Sequence, residues 1–94
     1  MSSKFRIPRG IKTVLITGAS GGIGEAFVDE FASLGLDCVL VGNEGDKLKE
    51  IAGRVKKEFG VKVLVIDMDL SVPSAAQKVY DYCQEKQIEV DVLV

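Results

Sequence analysis

Four glycines fall within seven residues in the segment Thr17-Gly18-Ala19-Ser20-Gly21-Gly22-Ile23-Gly24. Directly before it lies Thr13–Thr17 (TVLIT), an apolar run with little polar alternation, the pattern of a strand covered on both faces. Directly after it, Ile23, Phe27, Phe31 and Leu34 recur at spacings of four, four and three, one stripe of a helix. A chain that leaves a buried strand, turns on bare backbone and enters a helix has to lay that helix back on the sheet. This junction constrains the fold more than any other feature of the sequence.

The same alternation continues. Cys38–Val41 (CVLV) and Lys62–Ile66 (KVLVI) read as two further buried strands, and Val90–Val94 (VDVLV), interrupted by Asp91, reads as a fourth. Between them Leu48, Ile51, Ala52, Val55 and Phe59 form a second helical stripe, and Ala76, Val79, Tyr80 and Cys83 a third. Gly35 and Gly60 stand where helices are expected to end, and Ser71 with Pro73 is expected to open the third helix. The order β-α-β-α-β-α-β predicts an α/β fold with right-handed crossovers. It corresponds to the first half of a Rossmann-type doubly wound parallel sheet, with strand order 3-2-1-4.

Ninety-four residues suffice for one small domain. A net charge of −2 gives no reason to expect nucleic acid or an anionic membrane as a partner. Lys4, Arg6, Arg9 and Lys12 cluster near the start but are interrupted by Ile7, Pro8 and Gly10, so residues 1–10 read as a solvated basic lead-in and 11–94 as the folded unit. No stretch approaches the roughly 18 consecutive apolar residues of a membrane span, and the first residues lack the apolar run of a secretory signal. Cys38 and Cys83 have neither metal-like nor redox spacing and read as small buried hydrophobes. The expectation is a cytoplasmic protein without a metal site.

The glycine segment suits a phosphate. A pyrophosphate needs main-chain N–H groups that no side chain obstructs, and it gains from the positive end of a helix dipole. Gly18 fits the tight turn out of the strand, Gly21 and Gly22 let the backbone approach the phosphates, and Gly24 lets the helix pack close to the sheet. The Ser20 hydroxyl can bond a phosphate oxygen or an adenosine ribose. No GxxxxGK[ST] is present, which disfavours a P-loop triphosphate site. The generic G-x-G-x-x-G is absent too, since counting from Gly22 its third glycine position is Phe27.

The spacing that does stand here, TGASGGIG, resembles the TGASxGIG hallmark of the short-chain dehydrogenase/reductase family at every defined position. The resemblance runs on through LVGNEGDKL after the second strand, IDMDLS after the third and VDVLV as the fourth, and so covers the chain from about Ile11 onward. It implies the dinucleotide-binding part of an NAD(P)(H)-dependent oxidoreductase acting on an alcohol or carbonyl substrate. It also implies that Ile23 donates its backbone N–H to the pyrophosphate while its side chain joins the core stripe. Asp69 and Leu70 would line the adenine pocket, with the alternative that Asp69 merely caps the loop before Ser71. Asn43 occupies a position that is arginine in many members. It carries no charge and can bond a ribose hydroxyl or a 2′-phosphate, while Glu44 is either a displaced ribose-reading acid or the first charge of the next helix. NADP(H) is the expected cofactor, because members with this segment mostly use it; NAD(H) is the alternative.

In the family an Asn-Asn-Ala-Gly turn follows the fourth strand, and a serine and a Tyr-x-x-x-Lys pair come much later. By the resemblance the chain stops short of them and contains no catalytic residue. Tyr82 and Lys86 have the Tyr-x-x-x-Lys spacing but fall on the third helix, and are read as surface residues. The chain alone is therefore expected to be inactive, as the first part of an oxidoreductase. A non-catalytic dinucleotide-binding or interaction module is the other reading. The apolar fourth strand, left at an edge, predicts self-association.

Overall fold

The computed structural model describes residues 10–94, so Lys4, Arg6 and Arg9 of the basic lead-in lie outside the described residues. The elements are β1 (Thr13–Thr17), α1 (Gly22–Ser33), β2 (Asp37–Gly42), α2 (Gly45–Phe59), β3 (Val63–Asp67), α3 (Ala75–Glu85) and β4 (Val92–Leu93). All pairings are parallel and the strand order is β3-β2-β1-β4, as the alternation predicts. Central β1 and β2 are apolar through their middles, Val14, Leu15 and Ile16 in one and Cys38, Val39, Leu40 and Val41 in the other, because both faces are covered. Val14, Ile16, Cys38 and Leu40 face α1 and α2, while Leu15, Val39 and Val41 face α3.

The helix α2 buries Leu48, Ile51, Ala52 and Val55 as its spacing predicts, and ends at Gly60, whose N–H donates to the Lys56 carbonyl. Its outer side carries Arg54, which pairs with Glu25 and Asp29 of α1 at 3.0 and 2.8 Å. Such exposed pairs contribute about 1 kcal/mol or less.

Two helices turn a different face inward from the one their large residues predict. In α1 the buried residues are Val28 and Ala32, in line with Gly24 one turn earlier. Small residues at that spacing let the helix lie close to the sheet. Phe31 and Leu34 pack at the margin of the core, whereas Phe27 is 43% exposed and Ile23, expected in the core stripe, is 78% exposed. In α3 the buried line is Ala75, Val79 and Cys83, and Tyr80 stands 60% exposed with Ala76 beside it. This helix also begins later than Ser71 and Pro73 suggest. The Ser71 amide and hydroxyl both donate to Asp69, and successive turns carry the chain to Ser74 before α3 starts.

Asp91 is a fastener of the fourth strand. Its Oδ2 accepts the backbone N–H of Lys12 and of Thr13, at 2.9 and 3.0 Å, and its own N–H donates to the Thr13 carbonyl. These bonds hold its carboxyl below the usual range. Asp91 thus occupies the point where β4 joins β1, and the regular strand narrows from the expected Val90–Val94 to Val92–Leu93. The ladder still continues, with Val94 donating to Leu15 and accepting from Thr17.

Both cysteines are free and buried. Burial, with the neighbouring Asp37 charge as a lesser cause, pushes the Cys38 thiol up to about 11, so it behaves as a small hydrophobe. No helix among the described residues is long and apolar enough to cross a membrane.

Candidate dinucleotide site

The sheet order reverses direction at β1: the chain winds outward through β2 and β3, then returns to place β4 on the other side of β1. Ligands of open α/β sheets sit at such a point, beyond the carboxyl ends of the strands. The glycine segment lies there.

Gly18 leaves β1 with φ 62°, a left-handed conformation that favours glycine, and its N–H donates to the Val41 carbonyl at the end of β2. Its carbonyl accepts the Gly21 N–H, closing the turn. Gly21 is the N-cap of α1 and accepts the Glu25 N–H, yet no side chain caps this helix. The N–H groups of Gly22, Ile23 and Gly24 accordingly have no acceptor among the described residues. Three unspent donors at the positive end of a 12-residue helix make an anion cradle. A Cβ on Gly22 would meet nothing within 4 Å, so the approach to these donors is open, whereas one on Gly24 would overlap the Gly18 carbonyl. The two glycines differ: the space over Gly22 is open, whereas Gly24 lies against the turn itself. A pyrophosphate fits this geometry.

Ser20 is the buried polar residue of the loop, 6% exposed. Its hydroxyl donates to Glu44 Oε1 at 3.1 Å, tying the loop to the start of α2. Glu44 is the N-cap residue of α2, but its side chain makes no capping bond. Its neighbours enclose a polar cleft of about 460 Å³ lined by Asn43, Glu44, Gly45, Asp46, Lys47 and Asp67. A Cβ at residue 45 would meet the Asp67 carboxylate, which would have to swing aside. Asp67 is the last residue of β3, one beyond the Ile66 end expected from the sequence, and lies directly across from Gly42 of β2. The Ser20–Glu44 bond had no signal in the sequence, since it joins residues 24 apart through loop geometry.

Asp69 and Leu70 follow β3 at the same edge. Asp69 Oδ1 accepts both the N–H and the hydroxyl of Ser71, which hold its carboxyl below the ordinary range. The loop-capping role weighed for Asp69 is therefore present. Its Oδ2 has no partner among the described residues and stays available. Leu70, 40% exposed, borders an apolar groove of about 320 Å³ between α3 and the β1–β4 pair, lined also by Leu15, Val79, Tyr80 and Leu93. Tyr82 and Lys86 lie elsewhere, and Tyr82, expected at the surface, is half-buried against the core under α3 while Lys86 is exposed. Lys86 caps the carboxyl end of α3, its Nζ 5.7 Å from the Tyr82 ring centre, and from there the chain enters the amino end of β4. The pair is thus at the opposite edge of the sheet from the glycine loop.

A parallel sheet with this order, an uncapped helix at its reversal point and a glycine turn between them defines a dinucleotide-binding type of α/β domain. The comparisons narrow the class further. The short chain dehydrogenase family profile matches residues 12–94, and the chain belongs to that family. It is 39% identical over 66 residues to a 7beta-hydroxysteroid dehydrogenase of Collinsella aerofaciens, covering 70% of this chain and 25% of that protein. Among solved structures it resembles L-sorbose reductase from Gluconobacter frateurii, complexed with NADPH and L-sorbose, with TM-score 0.82 and 36% identity over 87% of this chain and 31% of that one. It also resembles a short-chain dehydrogenase from Sphingobium yanoikuyae in complex with NADPH, with TM-score 0.78 and 38% identity over 87% and 32%. The chain spans between a quarter and a third of the length of these relatives.

Proposed function

We propose that residues 11–94 are the dinucleotide-binding unit of an NAD(P)(H)-dependent oxidoreductase acting on an alcohol or carbonyl substrate, and that residues 1–10 are a lead-in to it. The observation that carries the proposal is the set of unspent N–H groups on Gly22, Ile23 and Gly24, reached over a glycine bearing no side chain. In this reading Gly18 and Gly21 shape the turn, and the three N–H groups bind the pyrophosphate. Ser20 and Asn43 address the adenosine ribose, and Asp69 with Leu70 borders the adenine. Bound there, the nicotinamide would supply or accept a hydride. This chain's own residues hold and orient the adenosine and pyrophosphate portions.

NADP(H) is placed first because the two neighbouring structures named above hold NADPH; NAD(H) is second. Titration of the chain with NADPH, followed by nicotinamide fluorescence, should show saturable binding displaced by excess ADP. No binding by the folded chain would remove the proposal and favour a non-binding interaction module.

Self-association is a second part of the reading. The free edge of β4 is apolar, with Leu93 72% exposed, and the exposed faces of Tyr80 and of Ile23 with Phe27 are apolar as well. Such an edge is a template for another strand.

A further inference from the structure

The helix that offers the anion cradle is itself acidic. Its sequence GIGEAFVDEFAS carries Glu25, Asp29 and Glu30 and no cation. Glu25 stands in the first turn, where its carboxylate competes with an incoming phosphate for the positive end of the same helix dipole. Asp29 follows four residues on, a spacing at which like charges oppose each other. The cation these carboxylates need comes from α2. Arg54 donates through Nη2 to Glu25 at 3.0 Å and to Asp29 at 2.8 Å, and its Nη1 lies 3.7 Å from Glu58 of its own helix. Among the described residues no other cation pairs with α1. Exposed pairs like these add little to the fold. Their field, however, reaches whatever anion binds at that helix end.

We infer that Arg54 sets the affinity of the glycine loop for a pyrophosphate, by drawing the Glu25 and Asp29 carboxylates to the α2 side of α1 and offsetting their charge. The inference rests on the dinucleotide reading above and adds to it a positioning residue from outside the loop. Without Arg54, the first-turn carboxylate of Glu25 is free to turn toward the unspent N–H groups of Gly22, Ile23 and Gly24, and its charge opposes the phosphates. With Arg54 in place that charge is held and partly neutralised. The groups are partly exposed, so added salt screens the effect.

The test is titration of the chain and its variants with NADPH and with NADH, followed by nicotinamide fluorescence at low and at high salt, on proteins shown by circular dichroism to be folded. At low salt Arg54→Met should weaken both dinucleotides about threefold, the scale of one charge lost near a partly solvated anion. The factor should be the same for the two, because they share the pyrophosphate, and it should fade at high salt. Arg54→Lys should keep most of the affinity. Glu25→Gln decides between an electrostatic role and a merely structural one. It should raise affinity in the unmodified chain and restore it in Arg54→Met, whereas a structural pin between the helices would lose a partner and bind more weakly. Binding that is equal in all these proteins, that falls in Glu25→Gln, or that changes for NADPH alone overturns this inference and leaves the site standing. Binding of neither dinucleotide by the folded chain overturns the site and this inference with it.

Discussion

Gly24 packs so closely on the carbonyl of Gly18 that a Cβ at residue 24 would overlap it. The contact brings the first turn of α1 against the turn that leaves β1, and so sets where the free N–H groups of Gly22 and Ile23 point. Gly24→Ala should therefore act on stability. Overpacking of this kind costs about 1–3 kcal/mol, and the obstruction here is backbone that cannot swing aside. Urea denaturation followed by circular dichroism should show a lowered midpoint. An unchanged midpoint would mean that the loop relaxes freely and that Gly24 has no structural task.

Asp91 gives the fold an acid-sensitive point. Its carboxyl is held below the ordinary value chiefly by the Lys12 and Thr13 amides. The ionised form thus favours the folded state above the unfolded pKa of about 4, and its contribution is lost as pH falls through the lower folded value. In Asp91→Asn, the part of the acid-induced loss of stability that begins below about pH 4 should shrink. Stability curves for the two proteins that run parallel from pH 6 to pH 3 would contradict this. The comparison needs the variant, because Asp69 is lowered in the same direction by Ser71.

The topology was legible in the sequence because apolar runs without alternation, separated by helical stripes, leave few ways to build a sheet. The glycine turn between β1 and α1 was legible because Gly18 takes a left-handed conformation and Gly24 lies against backbone. The inward face of α1 was not, and that of α3 only through Val79 and Cys83, for one physical reason. Both helices approach the sheet on small residues, through Gly24, Val28 and Ala32 in one and Ala75, Val79 and Cys83 in the other. A stripe traced through Ile23 and Phe27, or through Tyr80, follows size and lands one position aside. Asp91 looked like a defect in an apolar strand because its partners, the amides of Lys12 and Thr13, are nearly eighty residues away. The same distance problem hid the bond between Ser20 and Glu44.

Catalysis should be absent from this chain. Hydride transfer at an alcohol carbon calls for an acid/base group at the substrate oxygen, and Tyr82 with Lys86 stands at the far edge of the sheet from the glycine loop. NADPH consumption with simple ketones is expected to stay at background for the purified chain. Turnover that vanishes in Tyr82→Phe would overturn the reading of that pair as non-catalytic.

Exposed Leu93 and the unpaired side of β4 predict association in solution. Sedimentation at high micromolar concentration should find dimers or larger species, and Leu93→Lys, which places a charge on the edge, should shift them toward monomer. A stable monomer in the unmodified chain would show that the edge is shielded.

Gly22→Asp tests the glycine loop as a pyrophosphate site most directly. Nothing lies within 4 Å of a Cβ at residue 22, so the fold should survive. The new carboxylate would occupy the ligand's approach and compete for the same helix dipole. Titration with NADPH and with NADH, on protein shown by circular dichroism to be folded, is the measurement. Affinity for both should fall by at least a hundredfold, about 2.7 kcal/mol. An affinity unchanged from that of the unmodified chain would contradict the site.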